Sequence, residues 1–331
     1  MRSERSHAPV SRLIDSLLRF TVMPSQWAKY DTSAETAARM LRCTPEDIAQ
    51  LARQGLPHVV SARGPLFEYF DIMNVGRFSR TGVTTPELTA LTLMRFSSKP
   101  AGAWLGDKEW VVRVRLPDEG SGRYWIRVPD FDSPGITRLD QQFDQPVVAR
   151  TQQNQSYTVA IRVNGAYDAI YSSMVRDVYR DLLETLRSGE IIYQSVCEPL
   201  RAEHSLAWEL GMADCMVASR VMADRLRRIG ICARARRGFI LGLVGSEHAW
   251  CEVHEDGRWK NLDVTFAAMP SGLSLRKHAP EQDEFVSHCF GTRFNRCVPC
   301  VSDNAEPLMY DGTTRQPLSM IGVVSATKRK R

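Results

Sequence analysis

Apolar and polar positions change period three times along the chain. From Asp31 to about Phe96 the apolar residues recur at helical spacing. Thr32-Ser33 can cap a helix holding Ala37, Ala38 and Leu41, and Cys43-Thr44-Pro45 makes a short break. A second helix starts at Thr44 or Pro45, passes through Ile48 and Leu51, and ends at Gly55. Leu56 to Val60 leaves it extended, and Ala62-Arg63-Gly64-Pro65 reads as a turn. From Trp110 to Val163 the period becomes two. Glu109 to Arg115 and Tyr124 to Val128 alternate on either side of the turn Asp118-Glu119-Gly120-Ser121-Gly122. Tyr157 to Val163 is a third strand, closed by Asn164-Gly165. From Tyr167 the pattern is mixed. Val175 to Leu186 and Cys215 to Ile229 have helical spacing, with Gly230 just past the second helix; strands follow over Ala233 to Phe239, Ala249 to Val253 and Trp259 to Val264. Beyond Pro270 the pattern turns irregular and ends in the basic run Lys328-Arg329-Lys330-Arg331.

These changes divide the 331 residues into five segments. They are an N-terminal arm (1–30), a helical module (31–98), a β-rich lead-in (99–165), a mixed core (166–270) and an irregular C-terminal extension with a basic tail (271–331). The fold class is α+β.

Composition narrows the class. With 43% hydrophobic residues the chain can bury an ordinary core. The excess of 43 Lys and Arg over 38 Asp and Glu is mild; it suits an acidic partner without demanding nucleic acid. There is no apolar run of about 18 residues, so no membrane span is expected. The apolar stretch Leu13 to Phe20 is broken by Asp15, Ser16 and Arg19, which makes a poor signal-peptide core. A cytoplasmic location is therefore expected, with the eight cysteines as reduced thiols.

The candidate chemistry lies in the mixed core. Asp214 is a good N-cap, so Cys215 falls in the first turn of its helix, where free N–H groups and the dipole favour thiolate. Ala218, Met222, Leu226 and Ile229 form a buried stripe behind it. Asp256-Gly257 is a strong hairpin signal that sets Glu255 opposite Arg258. Counting back along extended strands, Trp250 faces Asp263 and His248 faces Thr265, so His248 and Asp263 share a sheet face as a diagonal pair. A thiol, an imidazole and a carboxylate in the order Cys215, His248, Asp263 match the nucleophile, base and orienter of a triad. The Cys215 backbone N–H is a candidate oxyanion donor.

These residues resemble the transglutaminase-like family of cysteine enzymes. The resemblance covers roughly Ser205 to Phe266. It rests on the nucleophile helix, on Leu226-Arg227-Arg228-Ile229-Gly230-Ile231-Cys232-Ala233-Arg234, on His248-Ala249-Trp250-Cys251-Glu252-Val253, and on Trp259-Lys260-Asn261-Leu262-Asp263-Val264-Thr265. It implies a papain-like core, a helix packed on an antiparallel sheet, and acyl transfer through a Cys215 thioester. The partners expected are an acyl donor and an amine or water acceptor, with no cofactor. The family commonly has Gly-Asp-Cys followed by an aromatic, where this chain has Ala213-Asp214-Cys215-Met216. Trp208 and Gln194 are candidate second oxyanion donors, and Asp214 and Trp250 candidate substrate-lining residues. An amide-forming enzyme acting on small or carrier-bound substrates is the leading expectation, a cysteine peptidase or amidase the alternative.

Other features carry weaker readings. The two helices and turn over residues 31–65 resemble the winged helix-turn-helix of excisionase and MerR-type proteins. Pro45-Glu46-Asp47 puts acids where phosphates would approach, and Arg53 is the one basic residue of that helix. A docking or structural module is expected rather than a DNA reader, and a DNA-binding regulator with an inactive core is the competing class. Arg225, Arg227, Arg228, Arg234, Arg236 and Arg237 read as a solvated face that can attract an acidic carrier protein. His288, Cys289, Cys297 and Cys300 read as ordinary residues ahead of a zinc site.

Overall fold

The computed structural model describes residues 7–115, 123–140, 147–150, 156–242, 247–272, 280–301, 304–318 and 323–327. The expected turn at Asp118 to Gly122 and the basic run Lys328 to Arg331 lie outside the described residues. The chain divides into two compact units. One comprises residues 1–94 and 189–214, the other residues 95–188 and 215–331.

The first unit begins with α1 (Val10–Ser16), β1 (Tyr30–Ser33), α2 (Ala34–Leu41) and α3 (Pro45–Arg53), followed by β2 (His58–Ser61), β3 (Gly64–Glu68), α4 (Tyr69–Phe78) and the start of α5 (Thr85–Ser97). Local chemistry sets the helix starts. The Ser33 hydroxyl accepts from the Thr36 N–H, and Thr44 and Asp47 form a reciprocal capping box with Pro45 in the first turn. The β2–β3 hairpin places Ser61 opposite Gly64, and β1 adds to β3. The expected N-terminal arm is not a separate segment. Leu13 and Phe20 are buried in one core with Leu41, Ile48, Leu51, Phe67 and Ile72, because α1 offers an apolar face that these helices cover.

This unit also buries two carboxyls. Glu68 caps α4 by accepting from the Asp71 N–H, and Asp71 accepts from the Met23 N–H. Burial pushes Glu68 up to about 8 against the pull of the Asp71 N–H, and Asp71, likewise by burial, up to about 7. Folding therefore takes up protons between the unfolded value near 4.5 and about 8. The stability that these two carboxyls contribute is therefore full below their unfolded values and is lost as pH rises through about 8. Urea unfolding at pH 5 and pH 9 should show the loss, and Glu68→Gln should flatten it, since a neutral amide can still accept from the Asp71 N–H.

The second unit opens with β4 (Gly106–Arg115), β5 (Arg123–Ile126), β6 (Ile136–Arg138), β7 (Val147–Arg150), β8 (Ser156–Tyr167) and α6 (Ser173–Ser188). The chain then returns to the first unit with β9 (Ile192–Tyr193), α7 (Glu198–Ala202), α8 (His204–Glu209) and β10 (Met212–Ala213); β9 and β10 pair in parallel. It re-enters the second unit with α9 (Cys215–Arg228), β11 (Ala233–Ile240), β12 (Glu247–Glu255), β13 (Arg258–Leu262), α10 (Val264–Gly272) and α11 (Pro280–His288). The last strands are β14 (Thr292–Arg293), β15 (Cys297–Val301), β16 (Met309–Asp311), β17 (Pro317–Leu318) and β18 (Val323–Thr327).

Helix α9 packs on β11 and β12 of an antiparallel sheet ordered β13-β12-β11-β15. The fold is α+β, with a helix on an antiparallel sheet as expected. The segment after Pro270 is not irregular. Strand β15 completes the central sheet against β11, β16 pairs with β5, and β18 pairs with β4. These strands are short and their partners lie far back in the sequence, so local pattern does not betray them. Where β15 crosses β11 the backbones almost touch: a Cβ on Gly238 would sit 1.9 Å from the Val298 carbonyl oxygen. Only glycine permits that approach. The core of this unit joins Trp110, Val112, Ile126, Val159 and Ile161 of the lead-in to Phe239 and Val298 of the central sheet.

Candidate active site

Cys215 is the first residue of α9. Ten of the helix's residues, Cys215 among them, are buried, so its N-terminal end is fixed by the packing of its length. Gly230 ends it with φ +82°, while the Ile231 N–H reaches back to the Leu226 carbonyl. His248 stands on β12. The hairpin register read from Asp256-Gly257 is present: Glu255 faces Arg258, and the ladder runs back to Cys251 opposite Leu262. Asp256 and Gly257 both have positive φ, 54° and 75°, as such a two-residue turn requires.

The ladder stops there. The expectation that Asp263 to Thr265 continues as strand, with Trp250 facing Asp263 and His248 facing Thr265, is corrected. Strand β13 ends at Leu262 and α10 starts at Val264. Asp263 is the residue just before that helix. Its Oδ1 accepts from the Phe266 N–H at 2.9 Å and from the Thr265 hydroxyl at 3.0 Å. Its Oδ2 accepts from His248 Nε2 at 2.6 Å. The carboxylate thus reaches the imidazole from a helix cap, not as a diagonal pair on a sheet. Asp263 followed by Val264-Thr265-Phe266-Ala267-Ala268-Met269 carries the signal, an N-cap residue before a run with good helix formers.

The Cys215 thiol acts on His248 and helps to raise it. Since Nε2 holds Asp263, Nδ1 is the ring nitrogen left for the sulfur. The thiol also lies 3.3 Å from the Met216 thioether. Cys215, His248 and Asp263 are 8%, 4% and 3% exposed, so their mutual interactions are little screened. Burial would lower the histidine, but the charge of Asp263 and its hydrogen bond with the ring, together with the Cys215 thiol, outweigh it and raise His248 to about 10. The site favours imidazolium, the state that results when the ring takes a proton from the thiol.

All eight cysteines are free thiols. Burial pushes Cys43, Cys197, Cys251, Cys289, Cys297 and Cys300 upward, so six thiols are held protonated.

Residues 157–264, which contain all three groups, match the core of the transglutaminase-like superfamily. This segment is a transglutaminase-like domain. Cysteine-based acyl transfer or hydrolysis is the chemistry of that superfamily level. Comparison with curated proteins gives no match. Among solved structures, a candidate cysteine protease from Cytophaga hutchinsonii is similar at 11% identity and a TM-score of 0.37, covering 68% of this chain and 91% of that one. A TGase is similar at 12% identity and a TM-score of 0.21, covering 41% and 46%. At these scores neither likeness bears on substrate or mechanism.

Around the transglutaminase-like domain's three central groups, the other expected residues fall out differently. Gln194 is fully buried, and its amide is spent on the Thr21 backbone: Oε1 accepts from the Thr21 N–H and Nε2 donates to the Thr21 carbonyl. It clamps the first unit's chain, which corrects its reading as an oxyanion donor. Trp208 lies on α8. The Asp214 carboxylate accepts from Arg201 at 2.6 Å and is buried, so it is held as part of an ion pair. Trp250 is buried, 6.2 Å from the His248 ring, with its indole N–H on Glu252. It is wall rather than open lining.

The arginine face is corrected in part: Arg227 and Arg228 are exposed on α9, and the β11 strand arginines are not. Arg236 and Arg237 are buried, paired with Asp130 and with Glu247. Arg234 pairs with Glu252 and lies 3.9 Å over the Trp259 ring, while Arg225 pairs with Asp181 and Arg227 with Asp224. Alternation turns Arg234 and Arg236 inward, and their charge is spent inside the protein. Among the described residues no group of three or more His, Cys, Asp or Glu is arranged to hold a metal. His288 bonds Thr292 and packs against Trp104 and Tyr167, and the Cys289 and Cys300 thiols donate to the Phe285 and Val298 carbonyls.

Proposed function

We propose that this chain is a cysteine acyltransferase that forms amides through a thioester on Cys215. The observation that carries the reading is a buried thiol interacting with an imidazole whose Nε2 is held at 2.6 Å by a capped carboxylate. The imidazole takes the thiol proton at Nδ1, and the thiolate attacks the carbonyl carbon of the acyl donor. The tetrahedral oxyanion collapses, the leaving group departs with the proton from His248, and Cys215 carries the acyl group. An amine then attacks the thioester, gives its proton to His248, and leaves as an amide with Cys215 restored. The Cys215 backbone N–H, at the start of α9, suits one oxyanion contact.

With water as acceptor the same steps make a peptidase or amidase. Small-molecule or carrier-bound donors remain the favoured class. Internal pairing takes the charge of Arg234, Arg236 and Arg237 from that face, while Arg227 and Arg228 stay exposed on α9 to an acidic carrier.

The test is trapping. Incubation with p-nitrophenyl acetate or an acyl thioester, followed by intact mass and peptide mapping, is expected to show one acyl group on Cys215. Added primary amines should then release it as amide faster than water does. Absence of any acyl-Cys215 across donors of different size would remove the proposal; release to acid regardless of amine would leave a hydrolase.

A further inference from the structure

The geometry points to Phe266 as a positioning residue that holds the His248 imidazole in its working plane and favours its charged form. This inference rests on the proposed role of His248 as the base.

The two rings are stacked, with centroids 4.0 Å apart and planes 11° from parallel. The contact has a structural reason. Phe266 is the third residue of α10, and its own N–H donates to Asp263 Oδ1. Its backbone thus fixes one carboxylate oxygen while its side chain covers the imidazole that binds the other oxygen. Asp263, His248 and Phe266 close into one ring of contacts, and no member can turn without disturbing the next.

Phe266 is itself braced. Behind it lie Phe285 at 5.9 Å and Phe294 at 5.7 Å, stacked on each other at 5.2 Å. Trp104 and Phe96 meet both of these edge-on or nearly so. Five aromatic rings, packed as a block, stand against one face of the histidine. Packing of this kind is stiff, so the platform resists rotation of whatever lies on it.

A histidine base needs such a support. The torsion that turns its ring is a broad, soft one. The hydrogen bond at Nε2 acts in the plane of the ring and restrains tilting out of that plane weakly. A flat surface at 4.0 Å supplies the missing restraint. There is also an electrostatic part. When the ring accepts the thiol proton, its new charge spreads over a face that looks onto the electron-rich face of Phe266, and cation–π attraction favours that state. Phe266 and Asp263 therefore push His248 the same way, one through the ring face and one through its edge.

The test needs no substrate. Iodoacetamide alkylation of Cys215 is followed across pH 3 to 11, with peptide mapping to separate it from the exposed Cys232. In the wild type the thiolate–imidazolium pair should give a broad pH window of fast alkylation. Phe266→Leu should move the acid end of that window to higher pH and slow alkylation there about tenfold. Phe266→Met, which fills the space flexibly without a π face, serves if the leucine variant does not fold. Phe96→Leu, at the far side of the block, should lower thermal stability and leave the window as it was. A window unchanged in Phe266→Leu and Phe266→Met, with only stability lost, overturns this inference alone. A wild-type Cys215 that reacts as an ordinary thiol, only as pH approaches 8 to 9, overturns this inference together with the function it rests on.

Discussion

Replacing Cys215 by alanine is expected to abolish acylation and to lower turnover by roughly 10⁴-fold or more, while leaving a folded protein. The size of the effect follows from the chemistry. Without the sulfur there is no covalent intermediate, and a methyl group has no proton to give His248. No other thiol stands in its place. Six of the remaining seven are pushed toward the protonated state by burial, and the seventh, Cys232, is exposed. The fold should survive because alanine fits at the start of α9 and the buried stripe below it is untouched. Circular dichroism checks the fold, and intact mass after exposure to an acyl donor checks the chemistry. An acyl adduct of equal yield on the alanine variant would show that the donor reacts elsewhere.

The second large effect is expected at Asp263, and it separates two jobs. Asp263→Ala should lose catalysis by about 10³- to 10⁴-fold and also destabilise the protein by roughly 0.5–2 kcal/mol, the usual cost of a lost N-cap. Asp263→Asn should lose nearly as much activity but little stability, because asparagine caps helices about as well as aspartate. The difference lies in the two oxygens. An amide oxygen can still accept from the Phe266 N–H in place of Oδ1. The amide nitrogen then faces His248 Nε2, where a negative oxygen stood. With the Asp263 charge gone, burial becomes the dominant influence on His248 and lowers it from its raised position near 10. The ring then lacks the charge that favoured its imidazolium form, and it is a poorer partner for the thiol. Rate against pH, with thermal melts of both variants, tests the separation. Equal activity in wild type and Asp263→Asn would show that charge at this position is dispensable.

What could be read from residues alone has a physical pattern. The nucleophile helix was legible because its start, its apolar stripe and the Gly230 stop are all local. The β12–β13 hairpin was legible because Asp256-Gly257 allows only a narrow set of turns, and that turn fixes the register. The hairpin register ends at Leu262, short of where strand alternation alone would carry it. Asp263 pairs with His248, but through a cap, since a residue that ends a strand can equally begin a helix. The residues after Pro270 were the least legible. Cys297 to Val301 contains a proline and no clean alternation, yet it is a strand because β11 offers it a partner some sixty residues earlier. Arg236 and Arg237 looked solvated because charge is usually outside. Only tertiary placement of Asp130 and Glu247 reveals that they are buried. Phe266 was invisible as a partner of His248, for aromatic stacking leaves no spacing rule in the sequence.

One carboxylate both caps α10 and steers His248. Maturation of the polypeptide and arming of its chemistry are therefore a single event. A nascent or damaged chain in which that first helical turn is unwound still has a cysteine, but a dormant one, unable to acylate whatever lies nearby.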